Sequence, residues 1–196
     1  RLAAGRILWD LQDAGLRHSV SISSDETTAL GLSADGRMAW GMAADLSSLT
    51  TLDLASGALN SVAVAPPEGE ARSYFAAIAV TGNGAAFAAP RKRVVDSEES
   101  WLWDVWDARS GKRRLEVDGG PGASWDTAAF SPTGDVLALW DSVPEPGRWP
   151  VVALMDGKTG ERLHLLDGPR GGGEVVTFTP DGRAITMLSA PEGGEV

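Results

Sequence analysis

The 196-residue chain contains no cysteine, which removes disulfides, thiolate metal sites and cysteine nucleophiles together. The absence says little about compartment, and cytoplasmic is only the default expectation. Histidine is nearly absent as well. His18 and His164 stand far apart in expected outer strands, neither with a patterned carboxylate neighbour to orient it, so a structural or solvent role is expected for each. Long apolar runs are missing: Phe75 to Val80 and Val136 to Trp140 are broken well before the roughly 20 residues a membrane helix needs, so no membrane span is expected. Arg1 opens the chain, and no basic stretch followed by an apolar core and a cleavage site is seen, so no secretory signal is expected. Positive charge is short. The net charge of −10 repels phosphate backbones, and the one basic cluster, Arg91, Lys92 and Arg93, is followed closely by Asp96, Glu98 and Glu99, so nucleic acid is not expected as a partner. The few basic residues are mostly arginine and accompany abundant Ala and Gly, a bias that hints at a bacterial source.

Catalytic patterns are lacking too. Ser124, Trp125 and Asp126 do not form a nucleophile elbow, which needs Gly on both sides of the serine. Gly171, Gly172 and Gly173 lack the Lys and Ser or Thr of a phosphate loop. The carboxylates never alternate as in a calcium loop, so neither a metal site nor a cofactor is expected.

What is present is a repeat. Four related hexamers, LSADGR from Leu32, VTGNGA from Val80, FSPTGD from Phe130 and FTPDGR from Phe178, place Gly36, Gly84, Gly134 and Gly182 at separations of 48, 50 and 48 residues. Between them runs a second series, WDLQDAG, LDLASG, WDARSG and MDGKTG, in which Asp10, Asp53, Asp107 and Asp156 precede a Gly by four or five positions. Gly supplies the positive φ of a tight hairpin turn, and Asp, Asn, Ser or Thr bonds the nearby backbone, so both series mark turns between antiparallel strands. The segments around them have strand composition, as in Thr127 to Phe130, Val136 to Trp140, Val151 to Met155 and Leu163 to Leu166, giving four strands per period. Such turns recur too often for helices of roughly 10 residues or more. A β-sandwich would show frequent turns without matched hexamers at a four-strand period. The reading is all-β.

The segments FSPTGD and FTPDGR, followed one strand later by WDARSG or MDGKTG, together with ILWDLQDAG near the start, resemble the WD-repeat family over nearly the whole chain. The resemblance implies a β-propeller of four-stranded antiparallel blades, with the hexamer turning between the first and second strands and the WD dipeptide closing the third. Trp9 with Asp10 and Trp106 with Asp107 fit that place, while Leu52 and Met155 stand where the other two repeats would have Trp, and the family's Gly-His pair is missing. On this template the chain is a single propeller region over 1–196, with periods at about 1–24 (partial), 25–66, 72–119, 124–168 and 174–196 (partial). That is about sixteen strands, taken as a portion of a larger propeller.

The resemblance implies a non-catalytic protein-protein interaction scaffold. Long connections, expected at Pro90 to Ser100, Asp141 to Pro150, Ala65 to Ser73, Gly119 to Ser124 and Gly168 to Gly173, all emerge on one rim, and insertions confined to one face of a repeat protein mark its binding face. Arg91, Lys92, Arg93, Trp101, Arg148 and Trp149 are the candidates there, because Arg and Trp concentrate interface energy. Against this, a charge run is usually solvated surface. Trp101, Trp103 and Trp106 alternate so that at least two pack between blades, and Trp9, Trp40, Trp125 and Trp140 read as core. The expected partner is a protein or another domain of the same larger chain. Two further readings are a sensory or autoinhibitory arm of a larger bacterial kinase, protease or NTPase, and a propeller enzyme with a central-funnel site. The latter would need polar groups at the inner ends of first strands, where the chain has TALGL, FAAIAV, TAAF and VVTF.

Overall fold

The computed structural model describes residues 5–9, 16–21, 27–32, 37–43, 47–64, 78–95, 98–118, 125–141, 151–167 and 173–189. Gly36, Asp10, Arg148 and Trp149 lie outside these residues. The described residues form sixteen strands and no helix: β1 (Gly5–Trp9), β2 (Leu16–Ser21), β3 (Thr27–Leu32), β4 (Met38–Ala43), β5 (Ser48–Asp53), β6 (Leu59–Ala63), β7 (Ala79–Val80), β8 (Ala86–Val95), β9 (Glu98–Asp107), β10 (Arg113–Asp118), β11 (Trp125–Phe130), β12 (Val136–Asp141), β13 (Val151–Asp156), β14 (Arg162–Asp167), β15 (Gly173–Phe178) and β16 (Ile185–Ser189). They make three four-stranded antiparallel sheets, β3 to β6, β7 to β10 and β11 to β14, each pairing its strands in chain order, and two hairpins, β1–β2 and β15–β16. No helix among the described residues is long and apolar enough to cross a membrane.

Both turn series have a local cause. Gly84, Gly134 and Gly182 adopt φ of 66°, 78° and 70°. Each donates its N–H to the residue three positions back, Thr81, Ser131 and Thr179, at 2.8 Å. The hydroxyls of those residues accept the amide two positions past each glycine, as in Ala86 N to Thr81 Oγ1 at 3.0 Å and Val136 N to Ser131 Oγ at 3.1 Å. In the second series Oδ1 of Asp53, Asp107 and Asp156 accepts the amides two and three residues on, at 2.7–3.0 Å. Gly57, Gly111 and Gly160 then close the turn onto the aspartate carbonyls at 2.8–2.9 Å. The carboxylate thus satisfies amides that a hairpin cannot pair across its tip.

These bonds favour the charged carboxylate. Asp107 is held far below the usual carboxylate range, chiefly by the Arg114 guanidinium and then by the Ser110 amide. Asp156 is lowered by the Thr159 and Lys158 amides. A group whose pKa is depressed by folding stabilises the fold above its unfolded value, about 3.9, and that stability is lost as pH falls through the folded value. Acid titration of the folded chain, followed by circular dichroism, is therefore expected to show stability falling below about pH 4. Asp156→Asn keeps the acceptor and is expected to reduce the slope there; an unchanged slope would remove Asp156 from the account.

Core formation follows strand alternation. On the β7–β10 sheet, Val80, Phe87, Ala89 and Trp106 face Trp40, Met42 and Leu49 of the β3–β6 sheet, with Phe87 and Trp106 stacked at 5.1 Å between centroids. Its other face sends Ala88, Trp103, Val105 and Val117 against Phe130, Leu137, Leu139, Ala153 and Met155 of the β11–β14 sheet. That sheet in turn turns Ala138, Trp140 and Val152 toward Val176, Ile185 and Met187 of β15–β16. Leu137 to Trp140 are continuously buried because both faces of β12 are covered. The sheets therefore stack in chain order. β11 lies against β7 on one side and β15 on the other, and equivalent turns rest on one another: a Cβ on Gly134 would sit 2.9 Å from the Thr81 side chain, and one on Gly182 would sit 3.3 Å from Pro132. All six residues of the outer strand β14 are exposed, including Leu163, Leu165 and Leu166, because among the described residues no core cluster reaches either of its faces, whereas the outer strands β6 and β10 bury Val62 and Val117.

Candidate functional site

The expected loop from Pro90 to Ser100 is a hairpin. β8 and β9 pair without a break from Ala86↔Asp107 to Val95↔Glu98, ten residues on each strand, where the corresponding strands of the other two sheets have six. The ribbon continues about four residues past its neighbours, or roughly 13 Å at the rise of a strand. Its signal in the sequence is a basic strand, Arg91 to Val95, facing an acidic one, Glu98 to Trp101, around Asp96 and Ser97. β-branched Val94 and Val95 favour extended backbone on the basic side.

An ionic ladder holds the base of this ribbon. Arg91 is 5% exposed and Asp104 is fully buried. Arg91 Nε donates to Asp104 Oδ2 at 2.7 Å, and its Nη2 reaches Asp104 Oδ1 at 3.4 Å and Glu116 Oε2 at 2.5 Å. Arg113 Nη1 bridges Asp104 Oδ1 at 3.3 Å and Glu116 Oε2 at 3.2 Å. Arg93, one pleat further out on the same face, donates to Asp118 Oδ2 at 2.9 Å and lies 3.8 Å from Glu116 Oε1. Three cations and three carboxylates from β8, β9 and β10 thus neutralise one another on the face that also carries Phe87 and Ala89. A guanidinium fork suits this, because one Arg can serve two carboxylates at once.

The candidate residues therefore divide. Arg91 is not a surface contact: its charge is consumed inside the sheet, and Arg93 is likewise engaged by Asp118. The reason is the cross-strand acids, which a linear run of basic residues does not reveal. Lys92 sits on the opposite face of β8, at the register position facing Trp101. Trp101 is half-buried and packs against the core between the β7–β10 and β11–β14 sheets. Arg148 and Trp149 lie outside the described residues. The connection that carries them leaves β12 at Asp141 and re-enters β13 at Val151, a paired position at the same end of its sheet as the long ribbon occupies on its own.

The side chain of Trp9, expected in the core, lies outside what the structure describes. Trp40, Trp103, Trp106, Trp125 and Trp140 are all buried, and Trp103 Nε1 donates to the Trp125 carbonyl across the sheet interface at 3.3 Å. His164 is exposed on β14, and among the described residues no group of three or more His, Cys, Asp or Glu could hold a metal ion. Ala79 and Val80 of β7 are buried and Ala128 of β11 is half-buried. What this arrangement offers is a two-stranded ribbon whose pairing runs past that of the corresponding strands in the other sheets. No known protein-family model matches the chain, nor does the sequence of any curated protein.

Proposed function

We propose that the chain is a WD-like β-propeller region serving as a non-catalytic protein-interaction scaffold, and that it binds through the rim carrying the β8–β9 ribbon. The propeller reading is supported by three four-stranded meanders stacked in chain order, with β11 against both β7 and β15 and with equivalent turns superposed from sheet to sheet. The binding reading rests on one observation, the projection of β8–β9 beyond its sheet. The base of this ribbon is braced by the Arg91–Asp104–Glu116 ladder. Its length and mixed charge suit edge docking by another protein. Lys92 and the tip carboxylates Glu98 and Glu99 are the contacts, with Trp101 as the partly covered apolar anchor.

The test is affinity purification with the wild-type chain and with a charge-reversed tip, Lys92→Glu with Glu99→Lys. A partner recovered with the wild type and lost with the tip variant, at equal melting temperature, is the expected result. Equal recovery by the two proteins would overturn the assignment of the rim, and robust turnover of generic hydrolase substrates would overturn the non-catalytic reading.

A further inference from the structure

The chain has two asparagines, Asn60 in β6 and Asn83 in the turn between β7 and β8. Only Asn83 precedes a glycine, and Asn-Gly is chemically distinctive because no side chain on the following residue crowds its amide nitrogen. We propose that Asn83 is a deamidation site whose rate is set by opening of the β7–β8 turn and whose aspartate product the fold accepts in place of the asparagine.

The chemistry requires only water. The deprotonated Gly84 amide nitrogen attacks Asn83 Cγ, forming a new C–N bond while the Cγ–Nδ2 bond breaks, and Nδ2 leaves as ammonia after taking a proton from solvent. Water then opens the cyclic imide. Breaking the new N–Cγ bond yields aspartate, and breaking the original backbone bond yields isoaspartate, whose main chain runs through Cγ.

Two features of the turn govern the first step. Gly84 N–H is committed to the Thr81 carbonyl at 2.8 Å, and Asn83 Oδ1 accepts from Thr81 Oγ1 at 2.9 Å and from the Ala85 amide at 3.0 Å. The attacking nitrogen and the carbonyl it attacks are both held, so the ring closes only from a state in which the turn has opened. Asn83 is exposed at a hairpin tip, but Thr81 and Gly82 beside it are buried against the next turn, so opening must release those contacts along with the hydrogen bonds.

The product is argued from the repeat. The hexamer around Gly182 has Asp181 at the equivalent place, and its Oδ1 accepts from Thr179 Oγ1 at 2.6 Å and from the Arg183 amide at 3.1 Å. These are the same two donors, one residue type apart, that hold Asn83. Asp181 is stabilised as the anion, first by the Thr179 hydroxyl and then by the Arg183 amide, so an aspartate at position 83 enters a turn already shaped for a carboxylate. Isoaspartate lengthens the main chain by one atom and cannot keep both the Gly84–Thr81 bond and the side-chain contacts.

The experiment is peptide mapping by mass spectrometry of the full chain aged at mildly alkaline pH, folded and in urea, with Asn83→Asp as the product standard. In urea, Asn83 is expected to deamidate well ahead of Asn60, whose next residue is Ser61. In the folded chain the rate at Asn83 is expected to fall by about tenfold or more, the measure of the closed turn. Asn83→Asp is expected to melt no lower than the wild type. Equal rates folded and unfolded would overturn the control by the turn, no preference over Asn60 in urea would overturn the site, and a lower melting temperature for Asn83→Asp would overturn the accommodation of the product.

Discussion

Asp104→Ala is expected to lower the unfolding free energy by roughly 3–5 kcal/mol, the cost of removing one partner from a buried ion pair. The magnitude follows from what remains behind. Asp104 has no solvent exposure, and both of its carboxylate oxygens are engaged, by Arg91 and by Arg113. Without it, the Arg91 guanidinium stays buried and loses two of its three interactions with the ladder's carboxylates. Asp104→Asn keeps the shape and removes the charge, so a smaller loss is expected. Asp118→Asn acts at the exposed Arg93 end of the ladder and is expected to cost at most about 1 kcal/mol. Urea denaturation of the three variants orders them. A loss for Asp104→Ala no larger than that for Asp118→Asn would show that burial is not what gives the ladder its strength. Hydrogen exchange adds a second readout: the Arg91 to Leu102 segment should lose protection first, because the ladder is what ties the ribbon to the sheet.

Gly111→Ala is expected to be nearly as severe, at roughly 2–5 kcal/mol, from positive φ combined with overlap. Gly111 has φ of 66°, and a Cβ there would overlap the Ala63 carbonyl of β6 and press on Val62 at 2.8 Å. The turn between β9 and β10 thus rests directly on the outer strand of the preceding sheet, and backbone cannot move aside as a side chain can. Gly84→Ala is the control. Its φ is also 66°, but its Cβ would meet only the flexible Met38 side chain, at 3.3 Å, so about 1–2 kcal/mol is expected there. Denaturation midpoints separate the two. Equal losses would mean that close approach between sheets adds nothing to the backbone term.

Much of the fold was legible because its markers act within a few residues. Gly84, Gly134 and Gly182, and Asp53, Asp107 and Asp156, sit at turns whose hydrogen bonds close over two to five positions, so local sequence suffices to place them. The run Val136 to Trp140 likewise read as a strand from its composition, and Leu137 to Trp140 are all buried. The ribbon was not legible. Arg91, Lys92 and Arg93 were read as a solvated or partner-binding loop because the residues that decide their fate, Asp104 and Glu116, lie 13 and 25 positions away from Arg91. Trp101 was likewise placed among the candidates, while its half-burial depends on the neighbouring sheet.

By itself, the amino-acid sequence determined the all-β character, the positions of the hairpins and the grouping of strands in fours, since turn sterics and strand alternation are properties of short segments. Tertiary structure alone decided which face of each sheet meets which neighbour, that β8 and β9 run on as a paired ribbon, and that the most basic stretch of the chain spends two of its three charges internally. Those outcomes depend on contacts between strands whose register no local pattern encodes, and the buried Arg91–Asp104 pair holds because its hydrogen bonds offset the cost of taking both charges out of water.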